Sequence, residues 1–211
     1  MKLTNEQTTI ISNYLDSFGI REIDIKLEVL DHIATETEEI IIAKNIEFEV
    51  ALKSVMIYWY PLFAQKRSIN IGLIYSFPRI VVNKLERSIK KSYFYYLGLF
   101  AIWAIFSFVI KYDFSSLGYL NNFLNIASLI IGVNILILLL LINYKAKHTT
   151  YRFLVNQASP ILLFIIFIQL FDGDEMNGLK LFLTSMVFLQ FLLMCENFLK
   201  HKKCIKKYHL V

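Results

Sequence analysis

The chain has 211 residues, 56% of them hydrophobic, and a formal net charge of +5; that much apolar side chain exceeds what a small water-soluble domain can bury. Residues 1–63 nevertheless hold eleven acids against five Lys/Arg, so the positive charge belongs to the rest of the chain, and direct nucleic-acid binding by this acidic segment is excluded. Cys195 and Cys204, with no CxxC pair and no histidine at zinc spacing, support neither a disulfide framework nor a structural zinc site. The amino terminus is polar and amphipathic, without the charged flank, apolar core and small-residue cleavage site of a secretory signal, so the first domain is expected to stay on the cytoplasmic side.

Thr4-Asn5-Glu6-Gln7 has the form of a capping box, and Ile10, Ile11, Tyr14, Leu15 and Phe18 then recur on one helical face until Gly19. This predicts a first helix over residues 5–18. A second apolar stripe through Ile23, Leu27, Leu30, Ile33, Ala34, Ile40 and Ile41 predicts a long acidic helix that stops at Asn45. Phe48, Ala51, Leu52, Val55 and Trp59 follow at helical spacing before Pro61 and predict a third helix, with Glu47 in its first turn. Three such helices can bury one another's stripes. A domain of this size is near the lower limit for a free-standing core, so a second copy, the linker or the membrane is expected to support it.

The run Tyr14-Leu15, then Glu28-Val29-Leu30-Asp31-His32-Ile33, then Phe48-Glu49-Val50-Ala51-Leu52 resembles the HAAS-type helical domain over about residues 8–60. That domain is a small cytoplasmic module found at the start of bacterial multi-span membrane proteins. Its members often lie beside PadR-type transcription regulators and act as their membrane-bound signalling partners, so the resemblance implies regulation through protein contact.

Residues 64–92 form a basic connector with Lys66, Arg67, Arg79, Lys84, Arg87, Lys90 and Lys91. Pro78 suits the first turn of a helix leading into the membrane, and residues 71–77 are expected to touch the bilayer surface. Four transmembrane helices are predicted, over residues 93–110, 119–142, 153–171 and 179–199, each close to the ~20 residues that a ~30 Å hydrocarbon layer needs. A basic tail, residues 200–211, closes the chain. With both termini inside, the inner segments carry fifteen Lys/Arg and the outer side only Lys111 and Lys180. That asymmetry predicts cytoplasmic termini. The acidic outer loop Asp172-Gly173-Asp174-Glu175 fits the same arrangement. The fold class expected is all-α: a small three-helix cytoplasmic domain plus a four-helix transmembrane bundle.

No ionisable residue falls in the middle of a predicted span, where one would mark a transporter, proton relay or membrane enzyme. Glu196 stands four residues before Lys200 at an inner helix end, where an i, i+4 pair accounts for it. Asn156, Gln157 and Gln169, with Asn134, Ser159 and Gln190, can line a polar cavity beside Pro160, although interhelical hydrogen bonding explains them more simply. Glu28, Asp31, His32 and Glu36 fall on or near one helical face whose Glu/His spacing can bind a divalent metal, but with no second histidine in the domain a solvated acidic face is the plainer reading. No metal site and no cofactor are therefore expected. His148, His201 and His209 lie among lysines, where attraction to anionic lipid accounts for them.

No phosphate-binding glycine loop, nucleophile elbow, HExxH or Ser/His/Asp pattern is present, so no enzyme is expected. The function that best fits is a regulatory or interaction protein of the bacterial cytoplasmic membrane, anchored in the bilayer and able to homo-oligomerise. Its acidic face at Glu28, Asp31, His32 and Glu39 would meet a cytoplasmic partner. A small transporter or transporter subunit is the alternative, and a membrane-embedded enzyme the third.

Overall fold

In the computed structural model of the chain, residues 2–109, 118–144, 147–171 and 177–209 are described. They form seven helices and one two-residue strand pair: α1 (Asn5–Ser17), α2 (Ile23–Lys44), α3 (Phe48–Phe63), β1 (Gln65–Lys66), β2 (Phe77–Pro78), α4 (Arg79–Val109), α5 (Gly118–Asn143), α6 (Thr150–Phe171) and α7 (Asn177–His209). The fold is all-α, as the periodicity predicts.

The chain divides into two compact units. The first comprises residues 1–89, 147–150 and 204–211, and the second residues 90–146 and 151–203. In the first unit the local signals act as expected. The Thr4 hydroxyl accepts the Gln7 amide and the Gln7 side chain accepts the Thr4 amide, so the capping box closes. Gly19 and Asn45 both take positive φ, ending α1 and α2 in the left-handed region. Pro61 lies inside the last turn of α3 and does not end it; the helix runs on to Phe63. A proline there forgoes a single hydrogen bond, to the carbonyl of the exposed Ile57.

Ile11 and Leu15 from α1, Ile25, Val29 and Ile33 from α2, and Ala51, Leu52 and Val55 from α3 make the core of the head. The buried face of α2 is centred on Ile25, Val29, Ile33 and Thr37, while Ile23, Leu27, Leu30, Ala34, Ile40 and Ile41 are only half-buried. α2 is apolar around much of its circumference, so spacing alone did not select the side that packs. Ile71, Val81, Val82 and Leu85 are also buried in this unit, which therefore continues past residue 63 through the connector. Within residues 71–77, Ile71 is buried, whereas Leu73, Ile74 and Tyr75 are exposed.

In the second unit, Ile135, Leu138 and Ile142 of α5, Val155, Leu162 and Ile166 of α6, and Val187 and Met194 of α7 form one apolar core. Among the described residues three helices are long and apolar enough to cross a membrane: Asn122–Asn143, Thr150–Gln169 and Leu179–Lys207. Only about a quarter of each apolar window is buried inside the protein. Residues such as Phe123, Ile130, Leu140, Phe164 and Phe188 face outward, and water would not tolerate that much contiguous apolar surface. The chain is a membrane protein. The remaining predicted span falls on the second half of α4, with Ile110 outside the described residues, as are Lys111, Lys145 and the acidic residues 172–175.

Candidate functional site

The first unit contains an interlocked polar cluster built on the first turn of α2. Asp24 sits there almost fully buried, on the side of the helix away from Ile33. Its Oδ1 accepts the backbone amide of Thr150 at 2.9 Å, and its Oδ2 accepts the Thr150 hydroxyl. Thr150 is the first residue of α6, so the carboxylate meets one of the amides that a helix start leaves without an internal partner. The exchange runs both ways: the Ile23 amide donates to the His148 carbonyl at 2.9 Å. Lys84 from the first turns of α4 completes the cluster, 3.4 Å from Asp24 and 2.9 Å from Glu28. One buried carboxylate thus ties α2, α4 and the segment leading into α6.

Glu22, the N-cap of α2, adds a second buried acid. Its side chain makes no capping hydrogen bond, and its Oε2 has no hydrogen-bond partner among the described residues. Burial pushes its pKa up, and the nearby Asp24 adds to this; the backbone amides of Glu22 and Arg21 and the Arg21 charge pull the other way. A carboxyl whose pKa is raised by folding stabilises the fold when protonated, below about pH 4.5, and that contribution is lost as pH rises through its folded-state pKa. Glu22→Gln should therefore stabilise the protein at pH 7, and the gain should shrink as the pH falls toward 4.5. Thermal unfolding of the two full-length proteins in detergent across that range checks it.

The residues singled out from sequence on α2 separate into two sets. Glu28 is engaged by Lys84, and the His32 ring stacks on Trp59 of α3 with ring centroids 6.2 Å apart. Trp59 Nε1 in turn donates to Glu36 at 2.9 Å. Asp31 and Glu39 remain exposed. The acidic face is thus half consumed in holding α2 against α3 and α4. Among the described residues no group of three or more His, Cys, Asp and Glu side chains is placed to hold a metal ion.

In the second unit the intramembrane polar residues also pair between helices. Asn143 and Asn156 exchange hydrogen bonds at 2.9 and 3.0 Å, and Arg152 Nε donates to Asn143 at 2.9 Å. Gln169 lies in a buried layer where its Oε1 accepts the Ser128 hydroxyl at 2.9 Å, with Thr184 3.4 Å from Ser128. The Gln169 Nε2 has no hydrogen-bond partner among the described residues. Gln157 is half-buried on the same helix as Asn156. Tyr96 donates to Gln190, and Glu196 pairs with Lys200 at 2.5 Å.

One placement differs from expectation: His201 is 4% exposed and does not present its ring at a surface. Lys180 is 1% exposed and sits one helical turn from Thr184 on the same face of α7. Sequence reasoning also missed Asp24, Lys84 and Thr150 as a set. The one signal available was an acid, Asp24, standing between Ile23 and Ile25 at a helix start. Searches of family models, of curated proteins and of solved structures find no match to this chain.

Proposed function

We propose that the chain is a membrane-anchored regulatory or interaction protein of the bacterial cytoplasmic membrane, with four spans, both termini inside and an α1–α3 head that binds a cytoplasmic partner. The observation that carries this reading is the Asp24 cluster: a head helix is hydrogen-bonded to Thr150, the first residue of a candidate span. A load on the head, or a rearrangement at the start of α6, acts on the same buried carboxylate. The orientation draws support from the composition of the first unit. The head, residues 147–150 and residues 204–211 share it, and all three lie on the side that the basic residues assign to the cytoplasm. The resemblance noted above makes a transcription regulator of the PadR type the partner to look for.

The test uses a photoreactive group at Glu39, which is exposed, and not at Glu28, which Lys84 already engages. After illumination of intact membranes, recovery of a transcription regulator is the expected result. Recovery of lipid or of the protein's own spans alone would overturn the reading and return the function to the bilayer.

A further inference from the structure

Within the second unit, α4 from Lys90 onward and α7 lie antiparallel against one another. Tyr96 of α4 donates to Gln190 of α7, and Phe100 and Trp103, one and two turns further along α4, meet the Phe182 ring with centroids 6.1 and 4.9 Å apart. The chain thus runs forward from Tyr96 to Trp103 beside a stretch that runs back from Gln190 to Phe182. The same register, continued in the other direction, brings Lys91 opposite Glu196, and the Lys91 charge acts on that carboxylate. Glu196 also pairs with Lys200 at 2.5 Å, so it stands between ammonium groups from two helices.

The charges at this end of the helix pair do not balance. Lys90 and Lys91 on α4 and Lys200, Lys202 and Lys203 on α7 are all exposed, and Glu196 is the one acid among the described residues of the unit. Five cations against one carboxylate leave a formal charge of +4. Like charges gathered in this way favour an anion beside them. Two of the ammonium groups lie over rings, Lys91 at 5.7 Å from the Tyr95 centroid and Lys202 at 4.6 Å from that of Phe198, which keeps them close to the apolar side chains of their own helices.

The surface next to these cations is apolar. Leu192 and Leu199 on α7 and Phe94, Tyr95 and Leu97 on α4 are exposed, and in a membrane protein the solvent for such side chains is lipid. Leu192, Glu196, Leu199 and Lys203 recur at i, i+4, i+7 and i+11 on one face of α7, so the lipid-facing stripe passes directly into the cationic end. A membrane lipid has the matching order, acyl chain and then phosphate.

We propose that this end of the α4–α7 pair binds an anionic phospholipid, its phosphodiester seated between Lys91, Lys200 and Lys203 and an acyl chain lying along Leu192 and Leu199. Basic pockets between membrane helices hold anionic headgroups in this way. Glu196 sets the two nearest lysines on either side of itself and is outnumbered by them. A zwitterionic lipid brings its own cation to the site and gains less there. A free phosphate ion would meet the same lysines but gain nothing from the apolar stripe. The site needs neither the head nor a cytoplasmic partner, so it stands apart from the regulatory role proposed above.

The test mixes full-length protein in a neutral detergent with phosphatidylglycerol or with phosphatidylcholine of the same acyl chains, and counts retained lipid by native mass spectrometry. Phosphatidylglycerol should be retained several-fold more than phosphatidylcholine. Lys91→Gln with Lys203→Gln should remove most of that preference. Lys44→Gln with Lys53→Gln, which takes the same charge from exposed positions of the head, should leave it. All four lysines are exposed, so neither variant opens a core. Glycerol phosphate, which has the headgroup chemistry without the chains, should not displace the bound lipid. Equal retention of the two lipids, equal loss of preference in the two variants, or displacement by glycerol phosphate would each overturn the proposal.

Discussion

Asp24→Ala should lower the stability of the first unit by about 2–4 kcal/mol, because it strips the Thr150 amide and hydroxyl and the Lys84 ammonium of one shared buried acceptor. Most of the loss comes from the donors left behind and not from the Coulomb energy of the ion pair, since the Lys84 side chain is 30% exposed and its charge is partly screened. Asp24→Asn should lose less, as its carbonyl oxygen can still accept the Thr150 amide. Lys84→Met should lose less again, and the double variant with Asp24→Ala should fall short of the sum because the two residues touch. The measurement is thermal unfolding of the full-length protein in detergent, with amide hydrogen exchange read at residues 147–151. A specific rise in exchange at that segment in Asp24→Ala identifies the clip. Exchange unchanged there, with stability intact, would show that Asp24 does not hold it.

Ile33→Ala is the second large effect. Ile33 is fully buried in the centre of α2, and truncating such a residue costs about 2–5 kcal/mol through lost transfer energy and the cavity left behind. A head of this size has little stability to spare, so the substitution should leave it largely unfolded while the apolar spans remain in the membrane. Limited proteolysis of inside-out vesicles should then cut within residues 5–63 and spare the rest. Photocapture from Glu39 should disappear with it. Ile42→Ala, at an exposed position of the same helix, is the matched control and should change stability by less than ~0.5 kcal/mol. Equal protease resistance in the two variants would mean that α2 does not build the core described above.

Particular residues show which features sequence could resolve. The ends of α1 and α2 were readable at Thr4, Gln7, Gly19 and Asn45, because caps and left-handed positions are set by neighbours within one turn. The membrane character was readable because a bilayer imposes its demand residue by residue, and long apolar runs have no other solvent. Pro61 misled at the end of α3 because a proline's cost depends on whether the lost hydrogen bond mattered, and there the carbonyl belongs to the exposed Ile57.

By itself, then, the sequence determined the all-α class, the three short head helices, the membrane-spanning character and the separation of acidic head from basic remainder, all of which follow from local spacing, capping and net charge. Only the tertiary structure decided which side of α2 is buried, that Asp24 accepts from Thr150 across 126 positions of chain, that Glu28 and His32 are spent on Lys84 and Trp59, and that Gln169 meets Ser128. The physical reason is common to them. Hydrogen bonds and ion pairs between distant segments depend on the rotation of each helix about its axis. A helix apolar around most of its circumference, as α2 is, leaves that rotation to its neighbours.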